Sequence, residues 1–173
     1  MGTIRVHEFA TLDGVISNPS WSMDFGFDPR MGEAIGGAMG GCDGILLGRT
    51  TFEMFEPAWS VRTADQDPGA PFMNDTTKYV VSSTLTEPTW RNSQVVSYDD
   101  IPALKEKANG LYVSGSGTLL RALIADRLVD ELHLFVYPIM LGEGLRLDAP
   151  AKWSVAKSET YENGVVYLSL RPR

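Results

Sequence analysis

Two short segments of this chain place glycine and hydroxyl residues where a strand hands over to a helix. One is Ile45-Leu46-Leu47-Gly48-Arg49-Thr50-Thr51-Phe52-Glu53; the other is Leu111-Tyr112-Val113-Ser114-Gly115-Ser116-Gly117-Thr118-Leu119-Leu120. In each, an apolar run meets glycine, then hydroxyls, then a helical pattern. A helix N-terminus offers N–H groups without intrahelical partners and the positive end of a dipole. Glycine lets an anion come close to that backbone. Two such ends point to a ligand with two phosphate positions, such as a dinucleotide. Glycine followed by threonine also simply starts a helix, and that plainer reading stands beside the first for each segment.

A third turn, Ser82-Ser83-Thr84, closes the apolar run Lys78 to Ser82. Three places can therefore hold phosphate or ribose: 48–51, 82–84 and 115–119. All follow strands, and in open α/β sheets ligands gather beyond the carboxyl ends of strands. The Gly115-Ser116-Gly117 turn is not the dinucleotide fingerprint, because Leu120 stands where the third glycine belongs. Ser82-Ser83-Thr84 offers no carboxylate to grip a ribose 2′-hydroxyl. Its hydroxyls, with Arg49, suit a 2′-phosphate and favour NADP over NAD; an ordinary polar turn is the alternative.

Other chemistries are missing their residues. His7 and His133, the two histidines, both fall in strand patterns, and no His/Cys spacing supports a metal site. Cys42 is the single cysteine, reads as a small buried apolar residue, and has no base beside it. There is no Walker A motif and no nucleophile elbow. A net charge of −7 disfavours nucleic acid as a partner. No apolar run reaches membrane-spanning length, and the first residues do not read as a signal peptide. A soluble, cytoplasmic protein is expected, and at 173 residues a single domain over 1–173.

The elements that must carry these turns read as alternating β and α, then antiparallel β. Ile4 to Phe9 is a first strand, continued by Thr11 to Ile16 through Asp13-Gly14. Residues 17–30 form a loop, and Asp28-Pro29 caps a helix with Met31, Ala34, Ile35, Ala38 and Met39 on one stripe. Strand Asp43 to Leu47 and a helix from Thr50 follow, then a long polar loop over 57–76. Strands Lys78 to Ser82 and Ser93 to Tyr98, a helix Ile101 to Ala108 and the second strand–turn–helix unit over 110–125 come next. Val129 to Tyr137 is a strand. Trp153 to Tyr161, Asn163-Gly164 and Val165 to Arg171 make a hairpin. The expected fold class is α/β: a mixed sheet, mostly parallel with an antiparallel C-terminal hairpin, flanked by helices.

Several of these segments together resemble the dihydrofolate reductase superfamily, specifically the branch of the C-terminal reductase domain of bacterial riboflavin biosynthesis. They are Thr11-Leu12-Asp13-Gly14-Val15-Ile16, Leu47-Gly48-Arg49-Thr50-Thr51-Phe52-Glu53, Val81-Ser82-Ser83-Thr84-Leu85, Ser114-Gly115-Ser116-Gly117-Thr118-Leu119, Leu128-Val129-Asp130-Glu131-Leu132 and Pro138-Ile139-Met140-Leu141-Gly142-Glu143-Gly144. They occur in family order and span nearly the whole chain. The resemblance implies a three-layer dihydrofolate reductase-like fold, an NADPH site and a homodimer. By position, Gly48, Arg49 and Thr50 and Gly115, Ser116, Gly117, Thr118 and Leu119 meet the cofactor phosphates. Ser82 and Ser83 meet the adenosine 2′-phosphate, Thr84 beside them belongs to the same cofactor site, and Leu12, Gly14 and Ile16 border the nicotinamide. The family often has a strained peptide at paired glycines, where this chain has Gly115-Ser116.

The substrate side departs from the pattern. The superfamily's early helix carboxylate aligns with no single residue; Asp24 and Glu33 are the candidates, with Asp28 read as the helix cap. Trp21, Phe25, Phe52, Trp59 and Tyr137 are candidates for an aromatic cleft holding a flat heterocycle. Phe52 equally fits the core, and Tyr137 packing. The expected activity is NADPH-dependent hydride transfer to a small pterin- or pyrimidine-like heterocycle. The alternatives are a catalytically silent nucleotide- or heterocycle-binding protein, or a flavin-binding module, on the same fold.

Overall fold

Alternation along the first strand decides which face meets which layer. In β1 (Thr3–Thr11), Ile4, Val6, Glu8 and Ala10 are buried on one face, while Arg5, His7 and Phe9 on the other are partly covered. The computed structural model describes residues 2–173. β1 lies inside an eight-stranded sheet with β2 (Gly44–Gly48), β3 (Thr77–Val81), β4 (Ser93–Val96), β5 (Gly110–Ser114), β6 (Glu131–Tyr137), β7 (Trp153–Thr160) and β8 (Val166–Pro172). The order is β4-β3-β2-β5-β1-β6-β8-β7. β4 through β6 run parallel, and β8 and β7 are antiparallel to their neighbours. The sheet is thus mixed as expected, with the C-terminal hairpin supplying its antiparallel part.

Helices α1 (Pro29–Met39), α2 (Arg49–Trp59) and α3 (Ala70–Asp75) cover one face, through Met31, Phe52 and Met73. Helices α4 (Ile101–Lys107) and α5 (Gly117–Ala125) cover the other, through Ile101, Leu120 and Leu123 against Ile4, Val6, Leu46 and Val113. The central strand β2 (Gly-Ile-Leu-Leu-Gly) is apolar without alternation because helices bury both of its faces.

Local capping explains where several elements begin. Asp28 accepts from the Arg30 N–H at 3.0 Å and starts α1, as its place before Pro29 predicts. Ser97 and Asp100 form a reciprocal capping box over a single 310 turn at Tyr98–Asp100, which ends β4 at Val96, earlier than the expected Tyr98. The strand expected to continue from Thr11 to Ile16 is instead a tight turn. Thr11 Oγ1 donates to Asp13 Oδ1 at 2.6 Å, and the N–H groups of Leu141 and Gly142 donate to the same carboxylate. The Thr11 hydroxyl first, then the Gly142 N–H, hold the Asp13 carboxyl well below the usual carboxylate range. This clamp ties the turn to the 139–142 connection.

Two expected loops carry more structure than their composition suggests. Residues 17–30 include a 310 turn at Pro19–Phe25. In the stretch 57–76, α2 continues to Trp59 and α3 forms at 70–75. Pro57 sits in the last turn of α2, where the bond lost with its missing N–H disturbs only the end of the helix. α3 is held by the buried Lys78, whose Nζ donates to the carbonyls of Met73, Asn74 and Thr76.

Candidate functional site

The carboxyl ends of β2, β5 and β1 do not end level. The β1–β5 ladder stops at the pair His7↔Ser114, where β5 turns into α5. β1 runs on beside β6 to the pair Thr11↔Tyr137. Beyond residue 7, the β5 side of β1 therefore opens into a cleft of about 740 Å³. That size suits a small organic ligand or a cofactor. Its walls are β1 (His7, Glu8, Phe9), the segment Ile16–Pro19, the N-terminus and one side of α2 (Gly48–Thr51, Met54, Phe55, Trp59), and the turn into α5 (Ser114–Leu119).

Both strand–turn–helix units meet at this cleft, and a pair of hydrogen bonds cross-links them. The Gly48 N–H donates to Ser116 Oγ at 2.9 Å, and the Ser116 N–H donates to Thr51 Oγ1 at 3.0 Å. Ser116 needs a left-handed backbone (φ 60°) to make both bonds, and Gly115 before it is left-handed too (φ 61°). That conformation is costly for serine. The Gly115–Ser116 peptide is trans. Gly117 is required for a different reason: a Cβ there would meet Ile16 Cδ1 and Leu145 Cδ2 at 2.8 Å. The Ser116 and Thr51 hydroxyls thus brace the two turns. Neither Gly48 nor Ser116 caps its helix with a side chain. The first N–H groups of α2 and α5 are left without capping side chains at the cleft.

Arg49 is the sole cation among the described residues that line the cleft. Its Nη1 donates to Thr84 Oγ1 at 2.7 Å and its Nε pairs with Glu53 at 2.8 Å. Ser82 Oγ accepts from the N–H groups of Thr84 and Leu85 and shapes the turn. Tertiary structure thus joins Arg49 with the Ser82–Thr84 turn at the rim of the cleft. Thr50 and Thr118 are exposed at the two helix starts, and Ser83 is exposed on the third turn.

The remaining expected site residues divide sharply. Of Leu12, Gly14 and Ile16, only Ile16 lines the cleft; Leu12 is 60 % exposed and Gly14 turns the chain at φ 81°. Of the aromatic candidates, only Trp59 lines it. The aromatic-cleft expectation is corrected at the other four. Phe52 is 1 % exposed and packs on Trp90 in the core. Tyr137 is likewise 1 % exposed, and Trp21 and Phe25 pack edge-on against it at 5.3 and 5.5 Å, beneath α1. β1 separates this cluster from the cleft: Phe9 touches both. The carboxylate expectation is corrected as well. Asp24 lies exposed on the 310 turn and Glu33 exposed on α1, and neither lines the cleft.

The carboxyl that does line it is Glu8, 4 % exposed. Burial pushes this group up to about 8, against the pull of its hydrogen bond from the Phe9 N–H. Its neighbour His7 also reaches the cleft. Its Nδ1 lies 2.8 Å from the Tyr112 hydroxyl and 3.3 Å from that of Ser114. Burial first, then the charge of His133, lower the imidazole to about 3, so it is neutral at ordinary pH. Met54, Phe55 and Tyr98 complete the apolar walls. Glu8 had a legible signal in sequence: it interrupts the apolar alternation Ile4, Val6, Glu8, Ala10 on a buried strand face. The rest had none, because nothing local says which side of α2 looks into a cleft.

Comparison with known proteins gives consistent results. The RibD C-terminal domain model matches residues 2–167. The uncharacterized protein YyaP of Bacillus subtilis (strain 168) is 28 % identical over 171 residues, covering 91 % of this chain and 88 % of that protein. A protein of Shewanella sp. PV-4 provisionally assigned to riboflavin biosynthesis superposes with a TM-score of 0.73 at 22 % identity, over 100 % of this chain and 99 % of that one. A pyrimidine reductase-like protein of Corynebacterium diphtheriae gives 0.66 at 11 % identity, over 99 % and 92 %. The Thermotoga maritima diaminohydroxyphosphoribosylaminopyrimidine deaminase/5-amino-6-(5-phosphoribosylamino)uracil reductase gives 0.69 at 15 % identity, over 99 % of this chain but 57 % of that longer one. These three likenesses establish the fold.

Proposed function

The chain belongs to the RibD C-terminal domain family, and on that premise we propose that it is an NADPH-dependent reductase of a small pterin- or pyrimidine-like heterocycle. The observation that carries this reading is the pair of helix N-termini without side-chain caps, cross-linked through Ser116 and facing one cleft. Two separated anion positions held by backbone N–H groups suit a pyrophosphate-bearing ligand better than a single phosphate. Arg49 with Ser82 and Thr84 would hold a third phosphate at the rim, the feature that distinguishes NADPH from NADH.

The residues present fit this cofactor. Gly48 to Thr50 and Gly117 to Thr118 would meet the pyrophosphate. Ile16, Leu145, Phe55 and Trp59 supply apolar walls for flat rings. When bound, the reduced nicotinamide supplies a hydride to an electrophilic carbon of the substrate. The protein's part is to orient both partners, exclude water between them, and manage one proton. A homodimer in the cytoplasm is part of the same proposal.

The test is a titration of the purified protein with NADPH and NADH, followed by nicotinamide fluorescence, alongside an Arg49→Ala/Ser82→Ala double variant. NADPH is expected to bind at least tenfold tighter than NADH, and the double variant to lose most of that preference. Equal binding of both nucleotides by the native protein would remove the 2′-phosphate site. Binding of neither would remove the reductase reading. NADPH binding without oxidation across pterins and ribosylaminouracils would leave a silent binding protein.

A further inference from the structure

Glu8 stands where a fold of this kind has the least structural reason to place a carboxyl. It lies mid-strand on β1, between the buried Val6 and Ala10, and is itself 4 % exposed. Its position matters more than its burial. β5 ends opposite His7, so the next β1 residue facing that side, Phe9, has no β5 partner in register. Glu8 Oε1 accepts the Phe9 N–H at 3.1 Å in place of the missing strand. This bond turns the carboxyl into the gap between β1 and β5. Its second oxygen, Oε2, is buried and has no hydrogen-bond partner among the described residues. An unmet buried polar atom costs about 1–3 kcal/mol. An apolar residue would fill the same space without that cost. Glu8 is also the only carboxyl among the described residues that line the cleft.

We propose that Glu8 is the proton donor of the reduction: a turn of its carboxyl away from the Phe9 N–H brings the acid O–H from its buried position to the substrate atom next to the carbon that receives hydride. This rests on the reductase reading above. It assigns the substrate a polarised double bond, C=N or C=O, whose heteroatom reaches into the β1–β5 gap. As the new C–H bond forms, the π electron pair moves to the heteroatom. The Glu8 Oε2–H bond breaks, the heteroatom takes that proton, and Glu8 is left as a carboxylate. Water entering after product release returns the proton.

The surroundings keep the acid form available. Burial raises Glu8 to about 8, so most of it carries its proton at neutral pH. The titratable groups that share the cleft with it are Tyr98 from the turn before α4, His7 on its own strand and Arg49 from the start of α2, and Tyr112 of β5 feels its charge. None forms a hydrogen bond or ion pair with Glu8. Both tyrosine hydroxyls are raised by burial and stay neutral, and His7 is neutral as well. An acid poised near the working pH is what efficient proton transfer requires.

The experiment compares native protein with Glu8→Gln and Glu8→Asp. First, side-chain carboxyl carbons are labelled at glutamate and titrated by NMR without any ligand. One resonance is expected to titrate near pH 8, far above the rest, and to vanish in Glu8→Gln. Second, NADPH fluorescence titration of Glu8→Gln should give a Kd within about twofold of native, separating this residue from cofactor binding. Third, with a pterin or ribosylaminouracil that native protein reduces, Glu8→Gln should lower kcat by about 10²–10⁴-fold with KM little changed, and Glu8→Asp should recover part of it. The fall in native kcat at alkaline pH should disappear in Glu8→Gln. A Glu8 carboxyl already ionised at pH 7, or a Glu8→Gln protein within about threefold of native turnover, overturns the assignment. Failure of native protein to bind or oxidise NADPH overturns the reductase reading and the acid role together, whatever the carboxyl titration shows.

Discussion

The two faces of β1 carry adjacent ionisable side chains and treat them in opposite ways. On one face, the His7 ring nitrogen lies against the hydroxyls of Tyr112 and Ser114, and burial, then the charge of His133, keep the ring neutral. On the other, Glu8 is held neutral by burial alone, with one oxygen bonded to its own strand and the other unmet. The sheet accommodates both, but only His7 has its needs answered by the fold. A buried polar group that the fold satisfies serves the fold; one left unmet at a cleft wall is a candidate for chemistry.

The sharpest way to break this contrast is the pH dependence of stability. Glu8 titrates higher folded than unfolded, about 8 against 4.5. Its contribution is therefore fully present below pH 4.5 and is lost as pH rises towards 8. His7 titrates lower folded than unfolded, about 3 against 6.5. Its contribution is present above pH 6.5 and is lost as pH falls towards 3. Denaturant unfolding across this range should show Glu8→Gln more stable than native at alkaline pH, by an amount on the order of 4 kcal/mol relative to the difference at pH 4. His7→Asn should instead flatten the acid side. Parallel curves for native and Glu8→Gln would show that water reaches Glu8 and that the two faces do not differ as described.

The same division runs along α2, between Phe52 in the core and Trp59 in the cleft wall. Phe52→Ala should cost about 3 kcal/mol or more of unfolding free energy and leave the NADPH Kd within a few-fold at temperatures where the variant is folded. Trp59→Ala should weaken ligand binding by more than it lowers Tm. A reversal of these two effects would put Phe52 in the site and restore the aromatic cleft expected from sequence.

Ser116 gives the smallest and most local test. Ser116→Ala removes the acceptor for the Gly48 N–H and keeps the left-handed backbone. A loss of about 1 kcal/mol in stability is expected, with weaker NADPH binding because the two turns are no longer held together. Glycine at this position should recover stability through its backbone but not the affinity. If affinity survives in both variants, the cross-link is not what sets the spacing of the turns.

Much of this molecule is legible along the chain because its signals are local. Asp28 before Pro29, Gly48 before a helical run, the Asn163-Gly164 turn and the uninterrupted apolar β2 each act within a few residues, through caps, backbone freedom and strand burial. The order of elements and the three hydroxyl-bearing turns, two of them with glycine, follow from them. Tertiary structure alone decided the rest. Whether Phe52 or Trp59 faces the cleft depends on how α2 rolls against β2 and α3. That Ser116 braces Gly48, 68 residues away, depends on β5 returning between β2 and β1. That Glu8 is the acid in the gap depends on β5 ending four residues before β1 does. A sequence states what each residue prefers to bury or bond. Which partners arrive to satisfy it is set by strand order and register, and where none arrives, as at Glu8 Oε2, the fold leaves a group for chemistry.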